Sequence, residues 1–256
     1  MAYIGNREFL IEVAKGNVAG HSLVHKFGRN SAVTTTLVPI TSSAIYQTPT
    51  SAASLEIVST SSSDDGVGSG ARVVTIEGID ANGDFQTQDV TMDGTVAAAV
   101  TGTWLRVFRM YVKDSGTYAT QSASSHVGTI TLRVSGGGAT WGVINLEGTF
   151  GLGQSLIGAY TVPSGKTAYI LNMNISIEGA KKVDCFFFKR ENITDITGSF
   201  SPMRVQNVYT GLEGTIQLEH KTNEAYSAGT DIGFLGKTTS GTSGASVEFE
   251  LLLVDN

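Results

Sequence analysis

Residues 55–113 read LEIVSTSSSDDGVGSGARVVTIEGIDANGDFQTQDVTMDGTVAAAVTGTWLRVFRMYVK. Short runs rich in Val, Ile, Thr and aromatic residues alternate with clusters of Ser, Asp, Asn and Gly. This is the pattern of strands separated by turns, and it leaves no room for a helix. Residues 72–80, RVVTIEGID, are dominated by β-branched side chains, which suit a pleated surface. Asn82 and Gly83 come next, a pair that accepts the positive φ of a two-residue hairpin turn. Asp93 and Gly94 mark the next turn. Residues 104–112 then alternate. Leu105, Val107, Arg109 and Tyr111 share one face; Trp104, Arg106, Phe108, Met110 and Val112 share the other, the more apolar, which is expected to meet a core. Segment 61–70 reads as a polar surface loop. Its Asp64 and Asp65 lack the twelve-residue, Glu-terminated spacing of a calcium loop. Asp80, Asn82 and Asp84 are near enough in sequence to suggest a cation, but the hairpin accounts for them.

The composition extends this reading to the whole chain. Of 256 residues only 16% are charged, against about 25% in ordinary globular domains, while 41% are hydrophobic. The surface must therefore be built largely from Ser, Thr, Gly, Asn and Gln. Glycine (31 residues) outnumbers proline (4) and supplies most turns. The formal charge is -6 and the pI about 5.2. The basic residues gather no further than pairs such as Lys181 with Lys182 and Lys189 with Arg190, so no nucleic-acid partner is expected. No apolar run approaches the roughly 20 residues of a membrane-spanning helix. The N-terminal residues, interrupted by Arg7, Glu8 and Glu12, do not form a secretory signal. No membrane partner is expected. The single cysteine, Cys185, excludes an intramolecular disulfide and a cysteine-built metal site. It reads as a small buried apolar residue rather than a nucleophile.

Outward from this stretch, residues 1–40 differ from the rest of the chain. Phe9, Leu10, Ile11 and Val13 fit a short helix or an extended segment. Residues 16–30, GNVAGHSLVHKFGRN, carry His21 and His25 at i,i+4, a spacing that would put both on one helix face for a metal. Gly16, Gly20 and Gly28 oppose a helix, and no Glu follows His21 as in H-E-x-x-H. The segment reads instead as an arm that orders against a neighbouring subunit. Downstream, SGGGAT at 135–140 is the richest glycine run and the expected domain boundary. Beyond it, VPSGK at 162–166 turns between strands, residues 167–177 alternate, and VDCFFFKRE carries the aromatic run Phe186, Phe187 and Phe188. Such a run suits a strand buried on both faces or half covered by another subunit. Further strands are expected near 203–208, 215–220, 232–235 and 246–256. The expectation is an all-β chain: two antiparallel β-sandwich or jelly-roll-like units, 41–138 and 139–256, preceded by an extended N-terminal arm, 1–40.

No catalytic or cofactor motif emerges. The glycine run lacks the following Lys and helix of a phosphate loop. Gly151, Gly153 and Gly158 do not have dinucleotide spacing. No Ser lies in G-x-S-x-G. Asp64, Asp65, Glu77, Asp80 and Asp89 are scattered, although a glycosidase pair could be built from residues far apart in sequence. His126 and His220 show no sequence partners. Asn174 and Asn192 begin glycosylation triplets, best taken as chance matches. No fixed repeat of a fibrous shaft is present. No enzyme, cofactor or metal site is expected.

The segment 61–71 fits S-S-x-x-D-x-x-G-x-G-A and 74–80 fits V-x-I-x-G-x-D, with Gly94 and Thr95 ahead of an aromatic-Arg-Val strand. On Asp65, Gly68, Gly70, Ala71, Gly78, Asp80, Gly94, Thr95, Arg106 and Val107 the chain resembles virion structural proteins of tailed bacteriophages, particularly marine and cyanobacterial ones. EVAKGNVAGHSLVHKFGRN and YTVPSGKTAYI look like parts of the same group. The chain departs from it at 121–128, QSASSHVG, where an Asn-Gly-Gly type of loop is usual. The resemblance implies a non-enzymatic homo-oligomer, commonly a trimer. It would be made in the host cytoplasm and carried in the virion as outer-capsid cement or decoration bound to the major capsid protein or other virion proteins. Attachment at the tail, baseplate or a fibre is the alternative. A carbohydrate-binding receptor module is a further alternative, with Trp104, Trp141 or Tyr160 as aromatic platforms. The interface residues implied are Phe9, Leu10, Ile11, His21, His25, Phe27 and Arg29 on the arm, with Phe186, Phe187 and Phe188 on the body.

Overall fold

The computed structural model describes residues 6–116, 125–147, 150–179, 181–191, 204–219 and 224–256. A helix, α1 (Asn6–Ala14), leads to β1 (His21–Val33) and β2 (Val38–Pro39). Seven strands come next: β3 (Leu55–Ser59), β4 (Ala71–Ile79), β5 (Phe85–Thr91), β6 (Ala98–Ala99), β7 (Arg106–Ser115), β8 (Ile130–Val134) and β9 (Thr140–Ile144). A small ladder, β10 (Leu146–Glu147) with β11 (Phe150–Gly151), precedes β12 (Ala159–Thr161), β13 (Lys166–Glu178) and β14 (Val183–Arg190). The chain closes with β15 (Arg204–Leu212), β16 (Gly214–Glu219), β17 (Ala225–Tyr226), β18 (Asp231–Thr238) and β19 (Ser243–Asp255).

The fold is all-β, and the described strand pairings are antiparallel. In the first unit, sheet β6-β3-β8-β9 and sheet β5-β4-β7 share a core that includes Ile57, Ile76, Trp104, Met110 and Leu132. In the second, sheet β1-β19-β13-β16 and sheet β12-β18-β14-β15 share a core that includes Met173, Phe187, Phe234 and Phe249. The expected turn at Asn82 and Gly83 is present between β4 and β5. Gly83 takes φ +81, and the Asp80 carboxylate accepts from the backbone N–H groups of Asn82 and Asp84 at 2.8 and 3.0 Å. The Asp80 oxygens that suggested a cation thus serve the turn.

The two cores meet. Ile79, Leu105 and Phe108 of the first unit belong to the second unit's core, and the Phe108 ring lies 4.5 Å from that of Tyr160. Simple alternation does not hold here. Trp104, Arg106, Phe108, Met110 and Val112 are buried as expected, but Leu105 and Val107 are buried too: a register shift sets Val107 opposite Gly78 and Arg109 opposite Glu77, so Val107 joins the first core with Met110 and Val112, while Leu105 and Phe108 join the second.

The structure corrects the arm. Residues 21–33 are a thirteen-residue strand paired along β19, from His21 opposite Val254 to Asn30 opposite Ala245. The glycines that oppose a helix have a different use. A Cβ on Gly28 would fall 2.2 Å from the Gly158 nitrogen and 2.4 Å from the Ile40 carbonyl oxygen, so β1 can lie here only without a side chain at 28. The glycine run also differs from its expected role. Residues 135–139 turn the β8–β9 hairpin, with Gly136 and Gly137 at φ +82 and +78, and β9 returns against β8 within the first unit.

Candidate assembly surface and the buried ion sites

β1 presents alternate residues to solvent, and this gathers several of the residues expected at an interface. His25, Phe27 and Arg29 lie on its outward face beside β19. His25 Nε2 meets Glu248 Oε1 at 2.8 Å, and the Arg29 guanidinium binds Glu178 through Nε (3.1 Å) and Nη2 (2.8 Å). The Arg29 guanidinium in turn draws the Glu178 carboxyl below its ordinary range. Phe27 remains exposed on this face, as does Leu23. On α1, Ile11 is exposed, Phe9 and Leu10 are partly buried, and the Phe9 ring stands edge-on to His21 at 5.7 Å. On a strand, four residues separate His21 from His25 by about 13 Å, so the pair cannot share a metal.

The aromatic run on β14 behaves differently. Phe187 and Phe188 are fully buried, and Phe187 packs against Phe234 (5.1 Å between centroids) and Tyr226. Both belong to the monomer's core and cannot serve as an interface. Only Phe186 is partly exposed, with the Lys237 ammonium 5.8 Å from its ring centre. Trp104, Trp141 and Tyr160 are buried as well, which removes them as aromatic platforms for a sugar. Cys185 is buried, and burial pushes its thiol up to about 12, so it is inert as a nucleophile. His220, the Asn192 triplet and residues 121–124 lie outside the described residues.

Sequence reasoning missed the exposure of β15. This nine-residue strand ends its sheet, pairs only with β14 among the described strands, and is exposed along most of its length. Val205 and Val208 project from it at 48% and 52% exposure. Arg204 is its only charged residue, it contains no proline, and its outer row of backbone groups has no described strand beside it. Natural edge strands are usually shielded by lysines, prolines or a covering element.

Charged side chains are buried at three structural junctions. Arg106 on β7 and Asp231 on β18 are both fully buried and join the units through a bidentate pair, Nε to Oδ1 at 3.1 Å and Nη2 to Oδ2 at 3.0 Å. The remaining Arg106 nitrogen donates to the carbonyls of Pro49 (2.8 Å) and Leu105 (2.7 Å). Asp231 also accepts from the hydroxyls of Thr161 (2.5 Å) and Tyr46 (3.3 Å). Asp64 is the hub of segment 61–70, which is more than the plain surface loop its composition suggests. Its carboxylate accepts from Ser59 Oγ and from the backbone N–H groups of Ala71, Val127 and Gly128 at 2.5–2.9 Å. A Cβ at Gly70 would fall 2.1 Å from Asp64 Oδ1, so the neighbouring glycine is what admits the carboxylate.

Lys26 stands at the third. It points inward from β1, is only 5% exposed, and donates to the Phe108 carbonyl of β7 at 2.5 Å. Burial, with the Arg109 guanidinium as the second cause, pulls its ammonium down to about 7. The cleft beside it has a volume of about 140 Å³ and is lined by His25, Lys26, Phe27, Arg109, Gln154 and Ser155. Among the described residues no group of three His, Cys, Asp or Glu is placed to hold a metal ion, and no described helix is long and apolar enough to cross a membrane.

No known protein family matches the chain, and no curated protein is similar to it in sequence. Among solved structures, it is similar to the isomalto-dextranase of Arthrobacter globiformis T6 complexed with panose, at 12% identity over 91% of this chain and a TM-score of 0.24. The chain spans 35% of that enzyme's length. It is also similar to the T=1 particles derived from infectious bursal virus, at 10% identity over 93% of this chain and 70% of the other, with a TM-score of 0.26. The infectious bursal disease virus Gt strain gives 6% identity over 92% and 71%, with a TM-score of 0.19. At TM-scores this low none of these likenesses bears on function.

Proposed function

We propose that this chain is a non-enzymatic structural component of a virion, an outer-capsid cement or decoration protein that works as a homo-oligomer and contacts the major capsid protein. The observation that carries the reading is the β15 edge. Val205 and Val208 stand on an edge strand with one terminal charge and no described neighbour, where an extended segment of another subunit can add a strand. The resemblance of its turn motifs to those of phage virion proteins supplies the setting. The outward face of β1, with Phe27 and Leu23, and the exposed Ile11 of α1 offer a second contact area.

The test uses purified virions and the recombinant chain. A cement protein is present at roughly hundreds of copies per particle, whereas a tail or fibre adaptor is limited to about a dozen by closed symmetry. The lower count would overturn the capsid assignment in favour of the adaptor. Replacing both Val205 and Val208 with Lys should leave a folded body that no longer associates, since charge on an edge blocks strand addition. Full decoration by that variant would refute the edge as the contact. Removing residues 1–14 takes away α1 while leaving β1 in place, and tests the helix's share of the contact. Removing residues 1–30 is uninformative, because it also strips most of β1 from the second core.

A further inference from the structure

We propose that the cleft between β1 and β7 is a binding site for a carboxylate, held between Lys26 and Arg109. The inference concerns the free chain and does not depend on the assembly reading. β7 explains why the cleft exists. From Met110 to Val112 its free edge is closed by the segment 153–155: Ser155 Oγ accepts from the Met110 N–H at 2.8 Å, the Ser155 N–H donates to the Met110 carbonyl at 2.8 Å, and the Val112 N–H donates to the Gly153 carbonyl at 2.7 Å. At Phe108 this closure stops, and the carbonyl there is met by the Lys26 ammonium. An ammonium carries three donors. Among the described residues the Phe108 carbonyl is the one acceptor hydrogen-bonded to it, and the Glu77 carboxylate favours the ammonium without forming an ion pair with it.

The groups around the ammonium decide which side an anion would enter. From β7, Arg109 reaches the same cleft. It is exposed, stacked 5.0 Å from the Tyr111 ring centre, and steadied by Nη2 donating to Gln154 Oε1 at 3.0 Å. From β1, His25 lines the rim but is engaged outward with Glu248. From β4, Glu77 stands opposite Arg109 in the ladder and lines an adjoining cavity of about 220 Å³ that shares His25, Lys26 and Arg109 with the cleft and extends to Phe85 and to Tyr160 of β12. An anion is repelled on the Glu77 side. The 140 Å³ cleft holds two cationic side chains and no carboxylate, and its volume is that of roughly four waters, enough for one carboxylate group with part of its hydration. Arg109 offers planar, paired donors that match a carboxylate, and Lys26 offers a point charge at the base. Binding there would add a counter-charge in direct contact, which Glu77 does not provide, hold Lys26 protonated, and so take up a proton with the anion.

The probe is malonate, compared with chloride at equal ionic strength, on the full chain at pH 7. Malonate should raise the unfolding temperature above the chloride control. Calorimetry in imidazole and Tris buffers should show net proton uptake with the bound anion, because burial pulls the Lys26 ammonium down to about 7. Lys26→Met should abolish both effects, and Arg109→Gln should weaken binding several-fold. If Lys26→Met does not fold, Arg109→Gln carries the test, since that side chain is exposed. Identical behaviour in malonate and chloride overturns the proposal, and so does a malonate effect undiminished in both variants. Sedimentation identifies the natural source. If the carboxylate is an acidic side chain of a second copy, malonate dissociates the wild-type oligomer; if it is a free acid, sedimentation is unchanged while the thermal shift persists.

Discussion

Two buried cations cross the seam between the units, and their surroundings differ in one respect. Arg106 has a carboxylate: Asp231 meets it through two hydrogen bonds, and backbone carbonyls take the rest. Lys26 has one carbonyl oxygen. Both side chains leave water, and removing a charge from water costs several kcal/mol unless it is paired. Arg106 cannot shed its proton and so requires a partner; lysine can, and burial pushes Lys26 to about 7. The first contact ties β7 to β18 across the seam through two hydrogen bonds. The second changes charge near neutrality.

The comparison holds only while β1 lies in its groove, so the largest effect should come from lifting it out. Gly28→Ala places a Cβ against the backbone of Gly158 and Ile40, which cannot yield as a side chain can. It should cost more than about 4 kcal/mol in a denaturant titration or prevent folding. A variant as stable as the wild type would mean β1 is not seated as described. Next in size is Asp231→Ala, which leaves Arg106 buried without its counter-charge and takes an acceptor from Tyr46 and Thr161. A loss of about 3–5 kcal/mol is expected. Combining Arg106→Met with Asp231→Leu should recover most of it, because a well-packed apolar pair can replace a buried ion pair. If the double variant is as unstable as the single one, the pair carries more than mutual compensation.

Local features of this architecture are legible in the sequence and long-range ones are not. The period of two over residues 104–112 places Arg106 on a buried face, but nothing nearby announces Asp231, which lies 125 positions away. Likewise the β1 segment reads as an arm because its glycines break a helix and its pairing partner, β19, is at the far end of the chain; His25 meets Glu248 across 223 positions. The glycine run 135–140 reads as a domain boundary because nothing local shows that the strands on either side of it share a sheet. Asp64 looks like any loop aspartate, since three of its four donors are backbone N–H groups that carry no residue signature. The three phenylalanines of β14 announce burial, yet whether a subunit or the monomer's own core covers them depends on Phe234 and Tyr226 from other strands. The exposure of β15 comes from its place in the sheet order, which strand patterning does not encode.

The smaller effect separates the two cations most directly, through pH. In the unfolded chain a lysine titrates near 10.4. In the fold Lys26 titrates near 7, so between these values the unfolded state binds more protons and stability must rise with pH. The penalty for burying the ammonium is fully present below pH 7, where both states are protonated, and is relieved as pH climbs toward 10. Between pH 7 and pH 9 the gain should be about 2 kcal/mol, less whatever relaxation admits water to the cleft. Lys26→Met should flatten this segment of the stability curve and be more stable than the wild type at pH 7, although the Phe108 carbonyl loses its donor. Arg106→Met with Asp231→Leu should leave the slope intact, because it leaves Lys26 and the Phe108 carbonyl in place. Urea midpoints measured at pH 6, 7, 8 and 9 for the three proteins check this. A slope that survives in Lys26→Met would show that another group is responsible and that Lys26 is solvated in the folded state.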